Sequence, residues 1–316
     1  MNIVYMGTPQ FAVPTLEAIV AAGHSVPAVY TQPDRPKGRG QQLAASPVKL
    51  CAQSHNLRVE QPERVRRPEV LEFLTALRPD CIVVVGYGQI IPQSIIDIPA
   101  HGIINVHASL LPKYRGAGPI QWAIANGETV TGVTTMKIDA GLDTGDILLM
   151  RETPIGPEEN STELSERLSV IGAGLLIETL DGLAAGSITP RKQDNQLATY
   201  APILKKEDGL IDWQLSATQI HCRVRGFFPW PGGYTIFRNQ RLHVWKALLA
   251  SEPPPAGHTP GTIYAANSRL FVACGLNSAL ELLELQLEGR KRIDSRAFLN
   301  GHRLVEYERL GGETNR

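Results

Sequence analysis

Along the first half of the chain, short runs of apolar residues alternate with stretches in which apolar residues return every three or four positions. Residues 2–6 form the first run; after Gly7-Thr8-Pro9, the residues Phe11, Leu16, Ile19 and Val20 fall on one helical face that Gly23 closes. Further strands are expected over 25–30, 81–85 and 102–106, with helical stretches between them. Strands that are apolar throughout and alternate with helices predict a doubly wound, mostly parallel α/β sheet of Rossmann-like type.

After Val106 the alternation weakens. Residues 131–138 and 146–151 read as successive strands, and a long helix follows from Ser161 to about Ala185, with Glu163 and Glu166 suited to its positive N-terminal end. The polar stretch 186–206, which carries Pro190 and Pro202, shows little periodicity. Beyond it one helix, 216–225, precedes short strand-like runs at 241–248, 261–264, 270–274 and 279–287, separated by Pro, Gly and Asn turns. Short strands at that spacing predict a small closed or partly open β-barrel, OB-like in type. The expected organisation is a catalytic domain over 1–189, a linker over 190–206 and a barrel domain over 207–316.

Length and composition fit this division. A chain of 316 residues exceeds what one core usually fills, and 43% hydrophobic with 20% charged residues is ordinary for a folded, water-soluble chain. No apolar run approaches the roughly 20 residues of a membrane span, and no signal peptide is visible, so a cytoplasmic setting without membrane contact is expected. Cys51, Cys81, Cys222 and Cys274 form no C-x-x-C pair, which fits a reducing compartment and predicts no metal. The formal charge is zero, but beyond residue 189 there are 17 Lys and Arg against 12 Asp and Glu, a mild basic bias.

The chemistry points to one strand end. Asn105 and His107 are two residues apart and share a face, with Val106 opposite, where the strand should emerge at the ligand-binding edge of an α/β sheet. A carboxamide can donate to a developing oxyanion, and an imidazole can donate to it or move a proton. Asp143, in the loop Ala140-Gly141-Leu142-Asp143-Thr144-Gly145-Asp146, could orient the imidazole. By position alone, a strand-end His is more often a hydrogen-bonded structural residue than a catalyst, and an Asp in a Gly-rich turn is usually a turn former.

The string Asn105-Val106-His107-Ala108-Ser109-Leu110-Leu111-Pro112, the following Tyr114-Arg115-Gly116-Ala117-Gly118-Pro119-Ile120 and the loop Gly141-Leu142-Asp143-Thr144-Gly145-Asp146 together resemble the signature of the folate-dependent formyltransferases. The resemblance implies that Asn105, His107 and Asp143 are catalytic. It implies that Ser109, Leu110, Leu111 and Pro112 contact a folate, with Gly86, Tyr87, Gln89 and Ile90 in a loop lining the pterin pocket. Members act on a purine-pathway ribonucleotide, a sugar nucleotide or charged tRNA, or hydrolyse folates. Three further strings are similar to the tRNA branch: Val4 to Pro14, Asp34 to Gly40, and Thr199 to Pro202 with Lys206 to Trp213. This implies formyl transfer from 10-formyltetrahydrofolate to the amino group of methionyl initiator tRNA, for translation initiation. Arg35, Lys37 and Arg39, spaced by Pro and Gly, would reach the acceptor stem, with Lys205 and Lys206 as further tRNA contacts. Arg290, Lys291 and Arg292 are similar candidates. No metal is required, and we expect a monomer.

Two other classes fit the sequence less well. Gly7-Thr8-Pro9 and Gly86-Tyr87-Gly88 both fail to complete G-x-G-x-x-G, which disfavours a dinucleotide dehydrogenase. An RNA-binding module built on the barrel would leave Asn105, His107 and Asp143 unexplained. Within the family, a folate-dependent formyltransferase or hydrolase acting on a small molecule stays the alternative to the tRNA enzyme.

Overall fold

The computed structural model describes residues 1–37 and 42–311, which form two compact units. The first gathers 1–119, 130–154 and 165–201; the second gathers 120–129, 155–164 and 202 onward.

The strands of the first unit are β1 Ile3–Gly7, β2 Val29–Tyr30, β3 Arg35–Lys37, β4 Gln42–Ala44, β5 Val59–Glu60, β6 Cys81–Val85, β7 Ile103–His107, β8 Arg115–Gly116, β9 Val130–Lys137, β10 Ile147–Pro154 and β11 Tyr200–Ala201. Seven of them form a sheet in the order β10-β9-β7-β6-β1-β2-β5. From β5 to β7 neighbours run parallel, while β9 is antiparallel to both β7 and β10. β1 and β6 are buried at every position, as expected of strands covered on both faces. One core cluster joins Val4, Met6, Ile82, Val84 and Ile103 to Val70 and Leu74 of the helix Pro68–Leu77. From β1 the chain winds outward through β2 to β5, then returns to β6 on the other side. The carboxyl ends of β1 and β6 therefore flank the point where strand order reverses, the place where such sheets form a ligand crevice.

The stretch read as a linker carries local structure up to Ala201. Arg191 exchanges both backbone hydrogen bonds with Ile147, and β11 lies parallel to β8. Gln193, Asn195 and Thr199 bond to loops outside the segment, contacts that no hydrophobic period marks.

The second unit contains β12 Gly233–Phe237, β13 Gln240–Leu249, β14 Ile263–Ala266, β15 Arg269–Cys274, β16 Ser278–Leu287 and β17 Ile293–Asp294. All pair antiparallel, in the order β12-β13-β16-β15-β14, with β17 on β16. Leu242, Val244, Leu270, Val272, Leu280 and Leu282 form its core with Ile220 and Val224 of the helix Ala217–Gly226 and Phe298 of the helix Ser295–Gly301. Among the described residues β12 and β14 do not pair, so the expected barrel takes the form of an antiparallel sheet that is not closed. No described helix is long and apolar enough to cross a membrane.

Candidate active site

β7 ends at His107, and its neighbour β9 pairs His107 with Thr134 and Asn105 with Met136, which fixes both residues in the sheet. The imidazole is 6% exposed and is held between two groups. Nε2 lies 2.9 Å from the backbone carbonyl of Tyr114, and Nδ1 lies 3.7 Å from Asp143 Oδ2. A carbonyl only accepts, so Nε2 carries a proton and donates it to Tyr114. Nδ1 is left as the nitrogen that can exchange a proton on the side of Asp143. The carboxamide of half-buried Asn105, two residues back on the same face, has no hydrogen-bond partner among the described residues.

Asp143 is set by a tight loop. Its backbone is left-handed, with φ 51°, and Oδ2 accepts the Gly116 N–H at 2.8 Å. Asp139 Oδ1 closes the turn by accepting from Gly141 N at 3.0 Å and Thr144 Oγ1 at 2.7 Å. At Gly145 a Cβ would lie 1.9 Å from the Lys137 carbonyl, so this position must be glycine for β9 and the loop to approach. Gln193 reaches the same loop, its Nε2 donating to the carbonyls of Asp143 and Gly145, both at 2.8 Å.

Next to these groups is a cavity of ≈ 210 Å³ lined by Val84, Met136, Ile138 and Ile91 and by the loops 87–90 and 139–143. Apolar walls with backbone groups along two loops suit a flat heteroaromatic ring with polar edges. Tyr87, Gln89 and Ile90 of the predicted pterin loop line it; Gly86 does not, but its φ of 56° turns the chain out of β6. Ile90 is 93% exposed, whereas Tyr87 is buried with a hydroxyl that has no hydrogen-bond partner among the described residues, and burial pushes its phenol up. The Gln89 carboxamide is occupied: Oε1 accepts from Val65 N at 2.7 Å and Nε2 donates to Pro62 O at 3.0 Å. These two bonds anchor the loop.

The segment 109–112 lies outside that lining. Ser109 is fully buried and its hydroxyl donates to Lys113 O, while Leu111 N donates to Thr134 Oγ1. Leu111 is buried as well, and Leu110 and Pro112 are half-buried. The internal bonds shape the turn that presents the Tyr114 carbonyl to His107.

A second cavity of ≈ 490 Å³ borders the first at Gly88 and is lined by Thr8, Pro9, Gln32, Arg35 and the 44–47 turn. Arg35 is exposed at its edge. Lys37 ends β3, but its side chain lies outside the described residues, as does Arg39 altogether. In the second unit, Lys205 and Lys206 are exposed, and so are Arg290 and Lys291. Arg292 is taken up by Glu284 at 3.1 Å and by the Trp245 ring, 4.6 Å from its centroid. Away from these sites Glu17, Cys51 and His55 bring a carboxylate, a thiol and an imidazole within 4.8 Å of one another. Burial and Glu17 push the Cys51 thiol up.

The formyl transferase family model matches residues 1–180, and the formyl transferase C-terminal domain model matches 203–303. A methionyl-tRNA formyltransferase of Solibacter usitatus is 63% identical, covering 98% of this chain and 99% of that protein. The chain belongs to the methionyl-tRNA formyltransferase family. A second member, from Geobacter metallireducens, is 54% identical over the same shares of the two chains, 98% and 99%. Among solved structures, the N-formyltransferase of Helicobacter canadensis, crystallised with folinic acid and dTDP-3-aminofucose, aligns with a TM-score of 0.66. It covers 89% of this chain and 98% of its own at 19% identity, and so shares the fold.

Tyr114 and Gln193 escape a reading of the sequence as parts of the site. Tyr114 acts through its carbonyl, which no side-chain pattern reveals, and Gln193 lies in the stretch without periodicity.

Proposed function

We propose that the protein moves the formyl group of 10-formyltetrahydrofolate onto the amino group of methionyl initiator tRNA, with Asn105, His107 and Asp143 as the catalytic residues. The observation that carries the chemistry is the join of β7 to the 139–145 loop: His107 Nδ1 faces Asp143 Oδ2 at 3.7 Å, beside an Asn105 carboxamide that no described group engages. The acceptor follows from near-full-length identity to proteins of that name.

The folate supplies the one-carbon unit; the protein supplies position and electrostatics. The apolar cavity between the 87–91 and 139–143 loops suits the pterin ring, with Tyr87, Gln89 and Ile90 in its wall and Gly86 at its hinge. Ser109, Leu110, Leu111 and Pro112 would meet the donor at the end of β7 only through the turn they build. A formyl group on nitrogen is a poor electrophile, so the main demand is to stabilise charge developing on its oxygen. Asn105 Nδ2 is free to donate there. His107 is tied at Nε2, which leaves Nδ1 and Asp143 to take the proton released by the attacking amine and to return it to the folate nitrogen as the bond from that nitrogen to the formyl carbon breaks and tetrahydrofolate leaves. Because Asp143 Oδ2 also accepts from Gly116, the carboxylate keeps its orientation while the proton moves.

The tRNA would be met by Arg35 at the second cavity, by Lys37 and Arg39 that follow it in sequence, and by Lys205 and Lys206 of the second unit. The OB-like reading of the C-terminal sheet rests on its antiparallel strands capped by two short helices. A cytoplasmic setting and a monomeric state belong to the same reading. Incubation with 10-formyltetrahydrofolate and methionyl initiator tRNA, methionyl elongator tRNA or a small amine tests the assignment through mass analysis of the product. Formylation of the initiator species is expected. Preference for the small amine would replace the tRNA reading with a small-molecule formyltransferase.

A further inference from the structure

One side chain in the 191–201 segment has all its hydrogen-bonding capacity taken up by the loops that build the site. Gln193 Nε2 donates to the carbonyls of Asp143 and Gly145, each at 2.8 Å. Its Oε1 accepts from Arg115 Nε at 3.0 Å and from Arg115 Nη2 at 2.7 Å. Arg115 is itself only 2% exposed, and Nη2 also donates to Asn195 Oδ1 at 2.9 Å. A carboxamide has two donor hydrogens and two acceptor lone pairs, and all four are matched here. Turning the amide over would set N–H groups against a guanidinium and an oxygen against two carbonyls, so its orientation is fixed.

The residue type is fixed by the same argument. A carboxylate could accept from Arg115 but would press negative charge against two carbonyls; a cation could donate to the carbonyls but not accept from Arg115. The same loops are tied to this segment at other points: Arg115 N donates to Thr199 O and Tyr114 N to Thr199 Oγ1, both at 2.9 Å. Tyr114 is the residue whose carbonyl holds His107, and Asp143 is the residue that faces it. Asp143 sits in the left-handed region, with φ 51°, and its backbone carbonyl is bonded from outside the turn by Gln193.

We propose that Gln193, oriented by the buried Arg115 guanidinium, is a positioning residue for formyl transfer: it holds the Asp143 backbone so that the carboxylate meets both Gly116 N–H and His107. The inference rests on the reading above that Asp143 works with His107. A misplacement of about 1 Å at such a group costs on the order of a hundredfold in rate, so the brace acts on turnover more than on folding.

The test is a double-mutant cycle on the full-length protein, with 10-formyltetrahydrofolate and methionyl initiator tRNA as substrates. Gln193→Met keeps the length and removes all four bonds. Gln193→Glu keeps the partner of Arg115, so it remains folded if the Met variant does not, and loses only the two donors to the turn. Each is expected to lower kcat by about 10- to 100-fold while changing KM for the tRNA less than about threefold. In an Asp143→Asn background the Gln193 change should lower kcat by less than about a further threefold, because the group it positions has already been lost. A merely structural Gln193 would lower the melting temperature with kcat within about threefold of wild type, or would multiply its loss with that of Asp143→Asn; either result overturns the proposal. If Asp143→Asn alone turned over normally, the catalytic reading of Asp143 would fall first and this inference with it. A slow Asp143→Asn beside a normal Gln193→Glu would sink this inference only.

Discussion

Asn105 presents a carboxamide that no described group occupies, whereas Ser109, Thr134, Gln89 and Gln193 are all bonded. Its replacement by Ala should therefore cost little in folding and much in rate. We expect kcat to fall by about 10²- to 10³-fold, the loss typical of one preorganised oxyanion donor, with the dissociation constant for the folate changed only a few-fold. Stopped-flow turnover with a parallel fluorescence titration separates the two. Gly145→Ala makes the opposite case. The added methyl would sit 1.9 Å from the Lys137 carbonyl, so the loop must move, and both turnover and folate affinity should drop together. An alanine variant that binds the folate as wild type does would show that the loop is not shaped by this approach. Asn105 and His107 are legible in the sequence because strand alternation puts them on one face. That His107 Nε2 is already taken by Tyr114 is not, since a backbone carbonyl carries no signature.

At the level of elements, strands that are apolar throughout announce β1 and β6, and the 3.6-residue period announces the helices Val13–Ala21 and Ser161–Ala184. β12 is hidden in the sequence because Pro229, Pro231, Gly232 and Gly233 mask a strand whose hydrophobic residues begin only at Tyr234. The β3–β4 hairpin is three residues a side and mostly polar, and so carries no period. The helix Ala217–Gly226 is legible through Ser216 and Gln219, which form a capping box, and it carries His221 into the interior. Burial pushes the His221 imidazole down, opposed in part by Glu158, whose Oε2 lies 3.2 Å from Nε2. A base whose folded pKa is depressed takes up protons more readily when unfolded. The stability this gives is present above the unfolded value of about 6.5 and is lost as pH falls from there through the depressed folded value. The melting temperature should thus decline as pH falls below about 6.5, and His221→Gln should decline less. Parallel melting curves across that range in the two proteins would contradict the assignment.

For the whole molecule, cations on both units are expected to meet one polyanion. Arg35 and Arg39 are far in sequence from Lys205 and Lys206, and the proposed tRNA contact gives them a common role. Each Ala substitution that removes a cation from a phosphate should reduce the slope of log affinity against log salt by about one unit, leaving folate binding intact. Removal of a cation from a base would instead alter the choice between initiator and elongator tRNA at constant slope. Filter binding over a salt series distinguishes these outcomes. The measurement that bears most directly on the whole account is the single-turnover rate at which saturating protein formylates methionyl initiator tRNA from 10-formyltetrahydrofolate, for wild type and for Asn105→Ala. The account predicts rapid formylation of the methionyl amine by the wild type and a rate at least about a hundredfold lower in the variant, with folate still bound. Equal rates in the two proteins, or no formylated methionine from the wild type, would contradict it.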